Sequence, residues 1–169
     1  MAAETMALDL VADFRQCGEA LYERVSVEHV GENRYRLLRS PGLAPGLAAG
    51  DEFAVQPCGR YNSSVHRRAG NVALQVLLTG LTGLTGGRVD RCEGHLARRL
   101  RPLGGRQDGR RDGSPVATLV FTVPVAAGFA AIEQRMDDTQ ALFPGMGWMY
   151  GNVYDPEDDT KPLNKWLPG

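Results

Sequence analysis

The stretch Asn71-Val72-Ala73-Leu74-Gln75-Val76-Leu77-Leu78 decides the fold. Val72, Leu74, Val76 and Leu78 fall on one face of a strand, while Ala73 and Leu77 keep the other face partly apolar around Gln75. A strand apolar on both faces belongs in the middle of a sheet. After it, Val89, Cys92, Leu96, Leu100 and Leu103 recur at three- and four-residue steps and predict an amphipathic helix that Pro102 limits. Ala117 to Val123 alternates as a strand, with Leu119, Phe121 and Val123 facing together. A second helical face follows at Phe129, Ile132, Met136, Gln140 and Phe143, and Pro144-Gly145 stops it. Gly147 to Tyr154 sets Trp148, Tyr150 and Tyr154 at alternate positions and reads as a closing strand. From Asn71 the order is therefore strand, helix, strand, helix, strand. Glycine-rich, charged Gly104 to Pro115 reads as an exposed loop with room for one further strand. This order suits a ferredoxin-like layer.

Upstream, Glu23 to Val30 and Arg34-Tyr35-Arg36-Leu37 alternate about Gly31-Glu32-Asn33, which predicts a β-hairpin. Glu52 to Gln56 and Ser63 to Arg68 read as strands, separated by a turn at Pro57 to Tyr61, and Ala69-Gly70 interrupts the pattern before Asn71. Ser40 to Gly50, punctuated by Pro41, Gly42, Pro45 and Gly46, reads as an ordered connection. From Met6, the spacing of Ala7, Leu10, Val11, Phe14 and Leu21 predicts a helix. Three Leu-Thr-Gly tripeptides from Leu78 read as a flexible loop, and the tail from Asp155 as irregular. The expectation is an α+β protein with an antiparallel β N-terminal half followed by a ferredoxin-like β-α-β-α-β layer. It is read as one domain over 1–169, with a finer division into 1–70, 71–154 and 155–169.

Composition bounds the function classes. A chain of 169 residues with 43% hydrophobic and 23% charged residues buries a core without staples. Nineteen basic and twenty acidic residues give a net charge of -1, so no global field draws the protein to nucleic acid or an anionic membrane. No apolar run approaches the roughly 20 residues that span a bilayer, and Met1 to Asp9 lacks the basic start and apolar core of a secretory signal. A cytoplasmic location is the expectation. Cys17, Cys58 and Cys92 are odd in number and contain no Cys-x-x-Cys pair, which predicts buried free thiols rather than disulfides or a zinc site.

Glu32-Asn33-Arg34-Tyr35-Arg36-Leu37 and, beyond it, Gly46-Leu47-Ala48-Ala49-Gly50-Asp51-Glu52-Phe53 join a hairpin to an L-A-x-G-D turn. Val65-His66-Arg67-Arg68-Ala69-Gly70-Asn71-Val72 is similar to a V-x-R-S-G-H-S-T segment, with Asn71 where a His is expected. With these motifs the chain resembles a bacterial family known only as domain of unknown function 4265, over Arg24 to Leu78 and more loosely beyond. The resemblance implies a fold shared among small bacterial proteins. It implies no activity and carries no catalytic residue onto this sequence.

Chemistry-bearing residues are sparse. Cys58 and His66 are the candidate nucleophile and base, should they converge. Cys92 and His95 share a helix face but lack the further ligands that zinc requires. No cofactor and no metal is expected. Arg88 to Arg111 is locally basic, with Arg88, Arg98 and Arg99 the candidates for phosphate contacts, yet no interleaved aromatics serve base stacking. Trp148 and Tyr150 lie in the richest aromatic stretch, fit for core packing or a partner contact, a homodimer included. The preferred reading is a non-catalytic bacterial binding or protein-interaction module that presents the Ser40 to Gly50 loop, the Pro57 to Tyr61 turn or the aromatic C-terminal strand to an unidentified protein or small-molecule partner. The alternatives are a small enzyme using Cys58 or His66 in a cleft between the halves, and an anion or nucleic-acid binder using 88–111.

Overall fold

The computed structural model of the chain describes residues 4–57, 61–79, 86–112, 116–155 and 158–162. Five strands come first: β1 (Thr5–Phe14), β2 (Ala20–Gly31), β3 (Arg34–Leu37), β4 (Glu52–Val55) and β5 (Ser63–Arg67), paired antiparallel in sequence order. Alternation fixes their faces, since Val25 and Val27 point inward with Leu10, Leu37, Leu47 and Phe53 to form a buried cluster. On the opposite face, charge fixes their register. Glu28 lies across from Arg36, Arg36 across from Glu52, and Glu52 across from Arg67. Ion pairs join each of these neighbours, so alternate charges bridge four strands. The sheet also curls. Asn62, just ahead of β5, accepts the Val11 amide at 2.7 Å and donates to the Asp9 carbonyl at 3.1 Å, tying the last strand to the edge of the first.

The two arginines hold the Glu52 carboxyl at about 2, against an ordinary value of 4.5, chiefly through the hydrogen bonds of Arg67 and Arg36. A depressed carboxylate pKa contributes stability that is present above the ordinary range and lost as pH falls through the folded value. Glu52→Gln is therefore expected to lower the urea midpoint at neutral pH. Urea titrations of both proteins should show that gap closing between about pH 4.5 and about pH 2.

The predicted helix from Met6 is instead β1. The register of β1 on β2 shifts between Val11 and Asp13, which marks a bulge at Ala12. One extra residue reverses the inward parity after Leu10, so Leu10, Val11 and Ala12 are all buried and the apolar spacing imitates a helical step. The 23–37 hairpin forms as expected, with Asn33 at φ 48 in its turn. Asparagine tolerates that left-handed backbone, and its side chain donates to the Val55 carbonyl at 2.8 Å.

The second half contains β6 (Asn71–Leu78), α1 (Gly86–Leu100), β7 (Arg106–Asp112), β8 (Ala117–Pro124), α2 (Phe129–Leu142) and β9 (Met146–Tyr150). The sheet order is β7-β8-β6-β9, all antiparallel, which is the ferredoxin-like arrangement with β6 in the interior. Leu74, Leu78, Leu119 and Phe121 meet Leu96 and Leu100 of α1 and Ile132 and Met136 of α2 in the larger core. Thr139, not Gln140, takes the inward position near the end of α2, and its hydroxyl donates to the Arg135 carbonyl at 2.8 Å.

One expectation is completed and another corrected. Gly104 to Pro115 contains β7, an edge strand with a register shift between Gln107 and Gly109. It carries no apolar alternation because polar side chains secure it: Gln107 and Arg110 reach Glu93 and Asp90 of α1. The tail is not irregular throughout, since β10 (Tyr154–Asp155) pairs with β11 (Asp158–Pro162). Residues 80–85, which carry most of the Leu-Thr-Gly tripeptides, lie outside the described residues, as do 58–60 of the predicted turn. No helix among the described residues is long and apolar enough to cross a membrane.

Candidate functional site

Ser40 to Gly50 is a mostly buried connection from β3 to β4, so its backbone polar groups need partners other than water. Side chains from both halves supply them. Glu23 of β2 accepts the amides of Gly42, Leu43 and Ala44, each at 2.8 Å. Asp108 of β7 accepts the Ser40 amide at 2.9 Å, the Thr122 hydroxyl and the Arg106 guanidinium. The Ser40 hydroxyl in turn accepts the Ala49 amide at 3.0 Å and meets Thr122. Because Thr122 donates to Asp108, Ser40 donates to Thr122, and the chain of hydroxyls ends on the carboxylate.

The L-A-x-G-D turn is fastened more deeply. Asp51 is fully buried and accepts Ala48 N–H at 3.0 Å, Ala69 N–H at 2.9 Å and the Arg68 guanidinium at 2.7 Å. Arg68 also donates to the Gly46 carbonyl at 2.6 Å. Its side chain is only 7% exposed, and its Nε is buried without a partner among the described residues. Burial pushes the Asp51 carboxyl up, against the pull of Arg68 and the two amides. Asn71 donates to the Ala49 carbonyl at 2.8 Å, and the fully buried Asn152 bridges Ala73 N–H and the Asn71 carbonyl at 2.9 Å each. Asp51, Arg68 and Asn71 of the motifs thus bond inward and form a joint between the sheets.

Beside this joint a cleft of about 420 Å³ opens between β2, the Arg39–Gly42 segment, β7 and β8. Val25, Pro41 and Val120 give it apolar wall, while Glu23, Asp108, Arg24, Arg39 and Arg110 bring charge. Most of that charge is committed. Glu23 and Asp108 are saturated as described, Arg24 pairs with Asp9 at 2.9 Å, and Arg110 pairs with Asp90 at 2.6 Å. Arg39 is exposed, and neither its guanidinium nor the Ser26 hydroxyl has a side-chain partner among the described residues.

The residues singled out from sequence do not converge here. Cys58 lies outside the described residues. His66 is exposed on β5, with Nε2 at 3.3 Å from Arg34 Nη1; a guanidinium only donates, so Nε2 is the acceptor of that contact. Cys92 is buried as expected, its thiol pushed up to about 11 by burial, whereas Cys17 is exposed in the tight turn from Arg15 to Glu19. His95 packs against Phe143, and no cluster of three or more metal-ligating side chains occurs among the described residues. Arg99 pairs with Asp138. Arg88 is half-buried and Arg98 exposed, each without a side-chain partner among the described residues. Trp148 and Tyr150 pack edge to face at 5.2 Å and donate to Asp137 and Glu133 of α2. Burial, then Glu133, raises the Tyr150 hydroxyl pKa.

Glu23, Arg39 and Asp108 were not among the sequence candidates, while Ser40 entered only as the start of the Ser40 to Gly50 loop. Ser40 and Asp108 are 68 positions apart, and no local motif signals their meeting.

A family model described as "Domain of unknown function (DUF4265)" matches residues 23–142, which run from the cleft carboxylate Glu23 to the end of α2. No curated protein matches the chain. Among solved structures, the "novel crystal structure of a hypothetical protein from Neisseria gonorrhoeae" is similar with a TM-score of 0.59 at 12% identity, over 89% of this chain and 95% of that one. At that identity the likeness concerns the fold.

Proposed function

The chain belongs to the family described as a domain of unknown function (DUF4265), and from the geometry of its matched segment we propose a non-catalytic binding module whose site is the cleft between the two sheets. One observation carries this reading. The cleft has the volume of a small-molecule site and walls drawn from both halves, and hydrogen bonds hold its framework in place. The same bonds speak against chemistry there. The Ser40 hydroxyl lies between Thr122 and the Ala49 amide, and both carboxylates are saturated, so none is poised as a nucleophile or a base.

The test is a thermal-shift panel of small metabolites on the wild type and on Ser26→Trp. Ser26 is exposed and lines the cleft, so the indole fills it without disturbing the bonds at Ser40 or Glu23. A ligand of the native state raises the midpoint. The expected result is an unchanged midpoint for the variant alone and loss of the ligand-induced shift. Shifts that survive Ser26→Trp would place binding elsewhere.

A further inference from the structure

We infer that the cleft takes a small aliphatic monocarboxylate, held by the Arg39 guanidinium with its chain along Val25, Pro41 and Val120; this rests on the binding reading above. Charge sets the class. Asp9 and Asp90 neutralise Arg24 and Arg110, which leaves Arg39 as the cleft guanidinium that faces no carboxylate among the described residues, a single positive group that a monoanion matches. Commitment then sets the contact. Glu23 accepts three amides and Asp108 accepts an amide, a hydroxyl and a guanidinium, so neither is free to take a cation. Arg24 and Arg110 already face carboxylates. Arg39 is the cleft guanidinium without a side-chain partner among the described residues, and its planar fork suits the two oxygens of a carboxylate. The apolar walls give an aliphatic chain a place that a bare phosphate would leave unfilled.

Calorimetric titration of the full chain with hexanoate, hexanamide and inorganic phosphate tests this at low and moderate salt. Hexanoate should bind, more weakly as salt rises. Arg39→Gln should weaken it on the order of 10- to 100-fold, the range for a hydrogen bond to a charged group. Arg98→Gln, on the exposed surface of α1, should leave it unchanged. Hexanamide binding that Arg39→Gln leaves intact but Ser26→Trp abolishes would overturn the carboxylate assignment while the cleft reading stands. Phosphate binding lost in Arg39→Gln would overturn the monocarboxylate class. Hexanoate binding that persists in Ser26→Trp would overturn the site itself, and absence of binding by all three probes would overturn the inference.

Discussion

Replacing Asp51 by Ala is expected to cost about 3–5 kcal/mol, the range for breaking a buried ion pair from one side. The carboxylate is fully buried, and its removal strands the Arg68 guanidinium and the amides of Ala48 and Ala69 together. Arg68 has little recourse, because its side chain is 7% exposed and its Nε already lacks a partner among the described residues. Against a total stability of roughly 5–15 kcal/mol, such a loss unfolds a large share of the molecules. Urea denaturation followed by circular dichroism measures it. Asp51→Asn, which retains an acceptor of the same shape, should fall between the variant and the wild type. A raised folded-state carboxyl pKa also carries a sign: its own contribution favours folding at low pH and fades as pH rises through the folded value. Asp51 is thus a position whose framework stabilises although its ionisation does not.

The second large effect is expected at Gly50, the glycine of the same turn. Its φ of +86° is left-handed, and a Cβ there would sit 2.7 Å from the Ala69 Cβ. Gly50→Ala therefore incurs about 1–2 kcal/mol for the backbone and about 1–3 kcal/mol for the forced contact. The two parts separate in a double mutant. Adding Ala69→Gly should recover the contact part and leave the backbone part, a coupling that denaturation of the four proteins reads directly. Full additivity would mean that the two residues do not meet.

Legibility followed sequence distance. The ferredoxin-like half was readable because β6 and β8 alternate cleanly and both helices keep their apolar spacing, so local periodicity and global packing agree. β1 was misread because the bulge at Ala12 gives a strand the apolar spacing of a helix. The strand that Gly104 to Pro115 has room for is β7, which the sequence does not place because its side chains reach sideways to Glu93, Asp90 and Ser40, leaving no stripe of apolar residues. The family motif was legible as a pattern, but its role was not. Only the fold shows that Asp51, Arg68 and Asn71 point into the joint, while the exposed Arg39 beside it is left without a side-chain partner among the described residues. Glu23 reads as one more charge in a strand until the amides of 42–44 come round to it.

Amide chemical-shift mapping of the isotopically labelled full chain during a hexanoate titration tests the central claim most directly, because it locates the site without altering a residue. The cleft account predicts perturbations clustered at Val25, Ser26, Arg39, Gly42, Gly109 and Val120, which border the cavity on all sides. Perturbations centred instead on Arg91 to Arg98 of α1, or on the Trp148–Tyr150 strand, would contradict it.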